Sequence, residues 1–257
     1  MDLLSLVSLA LIGLVGGFMA GLVGIGGGIV IIPLLVYVAG LPVNIATGVS
    51  MIQAFFATVS GLVVHRKKRS IDVRLGVLLG AVGVVGAAIG SFGSKSLSDV
   101  TLLTVYFVLV VVAVILMFMA PKGADATEYK YFPPLAGGLG LIVGVLAGML
   151  GVGGGFIMTP LMISVMRIPT RVAVGTSLLM ILPTTLSGSV GKIATGQVDL
   201  NVAIVVIVGS IIGAQFGGRA NARVAPSTVR LVLTVLLIVI LLRTAIDLIG
   251  RYHLFAG

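Results

Sequence analysis

Two glycine runs carry the clearest chemical signal in the chain: Gly24-Ile25-Gly26-Gly27-Gly28 and Gly151-Val152-Gly153-Gly154-Gly155. Each precedes an apolar stretch, 29–39 and 156–166, that should be helical. Glycine lets a backbone turn sharply and come close to a ligand. A helix start adds unpaired N–H groups and the positive end of its dipole. Together these make an anion site that needs no charged side chain. Gly24, Gly26, Gly27 and Gly28, with Gly151, Gly153, Gly154 and Gly155, are therefore candidate binding residues. Close helix packing also selects glycine in membrane bundles; the repetition of the whole run favours the binding role.

Polar side chains follow each run. The first set is Asn44, Thr47, Ser50, Gln53, Thr58 and Ser60; the second is Thr176, Ser177, Thr184, Thr185 and Ser187. Ser50 and Gln53, three apart, share a helix face. Ser50, Gln53, Thr176 and Ser177 are the candidates that could donate hydrogen bonds to an oxyanion. Hydroxyls in membrane helices often bond their own carbonyls or a neighbouring helix instead, so Gln53, which is costlier to leave unpaired, is the stronger choice. Gln215 should be satisfied by a helix contact or a cavity lining, and His65 reads as an interfacial residue. Lys192 is assigned to a connection, and no Lys or Arg is placed at mid-membrane depth, so the anion is expected to bind without a salt bridge.

What must position these groups is a membrane bundle. Of 257 residues, 59% are hydrophobic and 9% charged, against roughly 25% charged in a soluble domain. No Asp, Glu, Lys or Arg occurs from Leu3 to Val64, and further charge-free runs cover 75–94, 100–121, 131–166, 172–191 and 200–218. A spanning helix needs about 20 apolar residues. The last block, near 226–249, carries Arg230 and Arg243, which should reach opposite interfaces. The apolar start at Met1-Asp2-Leu3-Leu4 lacks a basic leader and does not stop, so it reads as a retained span. The expectation is an all-α polytopic protein in the cell (inner) membrane.

The chain repeats itself. Residues 21–34 match 148–161 at an offset of 127, and the register continues through Pro42/Pro169, Gly48/Gly175, Ser50/Ser177, Asp72/Asp199 and Gly90/Gly217. Two homologous halves, 1–120 and 134–257, are thus joined by a polar linker, 121–133. The basic residues flip their bias between the halves. Arg66, Lys67, Lys68, Arg69 and Arg74 crowd one connection of the first half, whereas the equivalent connection of the second keeps Lys192 and its neighbours hold Arg167, Arg171, Arg219, Arg223 and Arg230. With Lys122 and Lys130 in the linker, an inverted arrangement gathers all of these except Lys192 on the cytoplasmic side, as the distribution of basic residues requires. Inversion demands that the first block of each half begin and end on one side. Those blocks are the two that are too long for one pass, and each is broken by its glycine run. The reading is an inverted repeat, each half a glycine-tipped broken or re-entrant hairpin plus three spans, with both termini outside.

Paired G-x-x-G-x-G-G-G…P motifs 127 residues apart, Gly21 to Pro33 and Gly148 to Pro160, resemble those of the sulfite exporter TauE/SafE family of membrane transporters, along almost the whole chain. The resemblance implies secondary transport or export of small sulfur-containing anions such as sulfite, sulfoacetate, thiosulfate or related sulfonates, by alternating access around the tips. The alternatives are a carrier or channel for another small anion, or a non-transporting membrane subunit. The partners expected are a small anion and the lipid bilayer, with a coupling proton or sodium ion and a homodimer left open.

Other classes are disfavoured by what the chain lacks. Cys is 0 and His is 2, which leaves no Cys-ligated metal and little scope for histidine catalysis. The glycine runs lack the Lys-Ser/Thr of a nucleotide-binding loop. No carboxylate falls in mid-span, so a buried carboxylate relay is not expected. No catalytic residue, metal, cofactor or nucleic acid is assigned.

Overall fold

The computed structural model describes residues 2–66, 71–119 and 132–255. Lys67, Lys68 and Arg69 of the basic cluster and Lys122 and Lys130 of the linker lie outside the described residues, as does the His65 side chain. Among the described residues there are ten α-helices and no strand. They are α1 (Leu3–Val23), α2 (Gly28–Tyr37), α3 (Val43–Arg66), α4 (Val73–Gly93), α5 (Asp99–Met119), α6 (Pro133–Leu150), α7 (Gly155–Ser164), α8 (Thr170–Ala194), α9 (Leu200–Arg223) and α10 (Pro226–Phe255), with a 3₁₀ turn at Ser94–Ser96. Eight are long and apolar enough to cross a membrane; α2 and α7, ten residues each, are not. Val77, Val85, Ile89, Ile204, Val208, Ile212, Leu231 and Val235 are exposed around the outside of the bundle, which is the surface lipid covers. The chain is a multi-pass membrane protein.

Glycine sets how closely the helices approach. In α1, Gly13, Gly17 and Gly21 lie against the backbones of Val206, Ser210 and Ala214 in α9. In α6, Gly140, Gly144 and Gly148 lie against Leu79, Gly83 and Ala87 in α4. Every one of these six contacts is matched by another displaced by 127 in each partner. In both pairs the numbers rise together, so the helices run parallel. With no hydrophobic drive between helices in lipid, small residues at such seams supply the association through close packing.

The central pair, α3 and α8, behaves differently. Thr47 meets Lys192, and Gly61 meets Leu178, so these two repeat mates run antiparallel. The helix starts are capped in matching fashion. Asp72 accepts from the Leu75 amide at 2.9 Å, and Asp199 from Asn201 and Val202 at 3.0 and 3.2 Å. Asp99, opening α5, instead reaches across to the Val43 and Asn44 amides of α3. Arg230 and Arg243 of α10 are accommodated at separate places: Arg230 donates to Met117 O at 3.0 Å, and the Arg243 guanidinium lies 4.5 Å from the Tyr37 ring centroid.

Candidate functional site

Each hairpin turns because its glycines occupy conformations that other residues avoid. α1 stops at Gly24, φ 73°, whose amide bonds back to Ala20 O; α2 restarts after Gly27, φ 80°. The second hairpin has the same arrangement at Gly151, φ 72°, and Gly154, φ 80°. Gly27 O accepts from the Val30 and Ile31 amides, and no side chain caps the start of α2. The amides ahead of Val30 therefore form a cluster of donors at the positive end of the α2 dipole. The repeat is faithful here too, with Gly154 O accepting from Ile157 and Met158.

The two tips meet in the protein centre. A Cβ built at Gly28 would lie 2.7 Å from the Val152 Cα and 3.0 Å from Gly151 O; one built at Gly155 would lie 2.8 Å from Gly24 O. Ile25 and Val152 are fully buried. At these contacts tip packs on tip.

Three candidate polar groups gather beside the first tip. Ser50 Oγ would be 2.7 Å from a Cβ at Gly28, and Gln53 Nε2 would be 3.2 Å from one at Gly27. Gln53 Nε2 donates to Ser210 Oγ of α9. Ser50 Oγ, Gln53 Oε1 and Thr58 Oγ1 are buried with no hydrogen-bond partner among the described residues. Ser177 also reaches this tip, donating to Gly24 O at 2.7 Å and to Val174 O at 2.9 Å. Thr159 Oγ1 donates to the same Gly24 carbonyl at 3.3 Å. The repeat mates Ser50 and Ser177 thus differ: Ser177 is committed to a carbonyl and Ser50 is not.

The second tip is lined more by carbon. A Cβ at Gly153 would touch the Thr185 and Ile181 methyls, at 3.0 and 3.1 Å, and one at Gly154 would meet Val143 Cγ1 at 3.0 Å. Thr176 is not brought to either tip; its Oγ1 accepts from the Asp72 amide at 2.9 Å and ties α8 to the start of α4. Thr184, Thr185 and Ser187 donate to helix carbonyls. Gln215 is exposed on the outer face of α9 rather than in a contact or cavity.

Lys192, assigned to a connection by its position, turns into the bundle. It belongs to α8, and its side chain is fully buried. Its Nζ, with three N–H donors, lies within hydrogen-bond distance of four acceptors: Ser94 Oγ at 2.8 Å, Gln197 Oε1 at 2.9 Å, Met149 O at 3.0 Å and Thr47 Oγ1 at 3.1 Å. Met149 lies in the last turn of α6, where a cation favourably meets the carbonyl end of the helix dipole. A Cβ built at Gly151, the next glycine on from that turn, would fall on the Thr47 carbonyl. The signal in the sequence was a lone lysine closing a span, with Gln197 five residues beyond; which way it faced was not legible from position.

The sequence profile of the sulfite exporter TauE/SafE family matches residues 9–244. "Probable membrane transporter protein YunE" of Bacillus subtilis is 28% identical over 92% of this chain and 96% of its own. "Probable membrane transporter protein YdhB" of the same organism is 30% identical, over 79% and 85%. A "Probable membrane transporter protein" of Xylella fastidiosa is 31% identical, over 82% and 83%. No solved structure matches the chain. With the family profile and these relatives matching nearly its full length, the chain belongs to the sulfite exporter TauE/SafE family of membrane transporters.

Proposed function

We propose that the protein carries a small sulfur-containing oxyanion or organosulfonate across the membrane, binding it at the start of α2. The observation that carries this reading is Ser50. Its hydroxyl is fully buried, has no hydrogen-bond partner among the described residues, and sits beside Gly28 at the start of α2, whose N-cap supplies no side-chain hydrogen bond. Buried polar atoms are almost always paired, and an oxyanion would accept from this hydroxyl and from the adjacent N–H groups. Gln53, one turn along the same face, adds an amide to the site.

Transport follows by alternating access. The antiparallel α3–α8 pair and the contacts that recur at an offset of 127 support an inverted repeat. In such an architecture the two halves exchange roles as the carrier opens to either side. The contact between tips is then the closed state, and parting it on one side admits the anion to the first-turn amides.

The test is flux in proteoliposomes against sulfite, sulfate, thiosulfate, sulfoacetate, taurine and simple carboxylates. Saturable movement of sulfur oxyanions or sulfonates is the expected result. A preference for neutral or cationic solutes overturns the anion reading.

A further inference from the structure

We infer that Lys192 is the fixed counter-charge of the transported anion, and that the carrier consequently selects singly charged anions over doubly charged ones. The inference rests on the anion reading above and adds the charge of the substrate to it.

Among the described residues, Lys192 is the one charged side chain that is fully buried. Its four partners are a threonine, a serine, a glutamine and a main-chain carbonyl, all of them neutral. Dipoles solvate an ammonium but do not cancel its charge, and a buried charge normally has an ionic partner. Two carboxylates on the same side of the bundle are engaged elsewhere: Asp99 accepts from the first amides of α3, and Asp199 caps α9. The missing negative charge is one that the substrate brings.

Geometry places that substrate within reach. Thr47 accepts from Lys192 at 3.1 Å. Ser50 lies one turn further along α3 and therefore about 5–6 Å from Thr47. Ser50 Oγ in turn touches the Gly28 position at the start of α2. The ammonium and the proposed anion site are thus joined by a single polar face of one helix, and the ammonium stands within about 12 Å of the ligand. At that separation and an effective dielectric near 20, one unit charge changes binding by roughly ten-fold. One positive charge neutralises a monoanion. A dianion would leave a net buried negative charge, which the interior resists.

The experiment compares methanesulfonate, a monoanion, with sulfate, a dianion of similar tetrahedral shape, in proteoliposomes of the full chain. Wild type should show a kcat/KM for methanesulfonate about ten-fold or more above that for sulfate. Lys192→Gln, which keeps a hydrogen-bonding side chain but removes the charge, should raise KM for methanesulfonate about ten-fold and shrink the monoanion preference. Ser94→Ala, which removes an acceptor and keeps the charge, should retain the preference. A merely structural lysine would lower both fluxes equally in Lys192→Gln and leave their ratio unchanged, which overturns the proposal. Equal handling of the two anions by wild type overturns it as well, whether or not the variant folds, while leaving the anion site standing. Movement of a neutral solute in preference to either anion overturns both readings.

Discussion

The Tyr106 hydroxyl donates to the carbonyl oxygen of Ile29 at 2.6 Å, and the reason lies four residues further along α2. Pro33 has no N–H to offer that carbonyl. Tyr106, from α5, replaces the missing main-chain bond and fixes the first turn of α2, where the glycine tip begins. The second hairpin has the same proline, Pro160, within α7, but Leu233 stands where the repeat would place the tyrosine.

This pairing sets up a double-mutant cycle. Tyr106→Phe should cost about 1–3 kcal/mol, because it leaves a buried carbonyl unpaired. Pro33→Ala restores an N–H to the same acceptor, so in that background the tyrosine change should cost clearly less. Thermal unfolding in detergent reads both. Equal cost in the two backgrounds would show that the tyrosine acts through packing alone.

Ser50 offers the cleanest separation of function from stability. Its hydroxyl has no hydrogen-bond partner among the described residues, so Ser50→Ala removes no bond and should leave the melting temperature unchanged or slightly raised. Transport should nevertheless fall markedly, with KM raised. Ser177→Ala, by contrast, removes bonds to Gly24 O and Val174 O and should lower stability by about 1 kcal/mol. Full transport by a stable Ser50→Ala protein would remove this hydroxyl from the site.

The glycines fall into two mechanical kinds, which predict different failures. A Cβ at Gly26 finds open contacts of 3.4 Å or more, but φ is 79°. Gly26→Ala should cost about 1–2 kcal/mol through backbone conformation and should impair transport per folded molecule. A Cβ at Gly86 or Gly213 would instead fall on the carbonyl of Leu141 or Leu14 in the facing helix. Gly86→Val and Gly213→Val should force the α4–α6 and α1–α9 seams apart and reduce the yield of folded protein. Gly27→Val combines both insults, since its Cβ would come 2.5 Å from Gly16 O at φ 80°. Separate measurement of flux and melting temperature distinguishes the classes.

The proposed inverted arrangement predicts which sites a membrane-impermeant thiol reagent reaches. The chain has no cysteine, so single cysteines report alone. Ser96→Cys, after α4, should label from outside in intact cells, and Ser227→Cys, at the start of α10, should label only after permeabilisation. The reverse pattern would place both termini in the cytoplasm and reverse the orientation.

Arg167 carries a visible backbone cost. It sits at φ 55° between α7 and α8, where its repeat mate is Gly40, φ 68°. Arg167→Gly should therefore stabilise the fold by about 1 kcal/mol, by releasing a left-handed conformation that side chains disfavour. A melting temperature that falls instead would mean that contacts of the arginine outweigh its strain.

Much of the architecture was legible in the linear sequence because lipid imposes simple rules on it. Charge-free stretches of spanning length, the offset of 127 and the paired glycine breaks follow from composition and local conformation alone, and the helices and turns stand where those features place them. Gly24, Gly27, Gly151 and Gly154 needed only their own φ to make the tips. Which polar side chain faces which tip was a different kind of question. Ser50 and Ser177 are equivalent in the repeat, yet one is unpartnered and the other bonds Gly24. Lys192 was beyond local reading altogether. Its burial depends on acceptors 43, 98 and 145 residues distant, on α6, the 3₁₀ turn and α3. A lysine at a span's end can reach water or turn inward, and only the tertiary structure, by gathering those oxygens around it, makes the inward choice favourable.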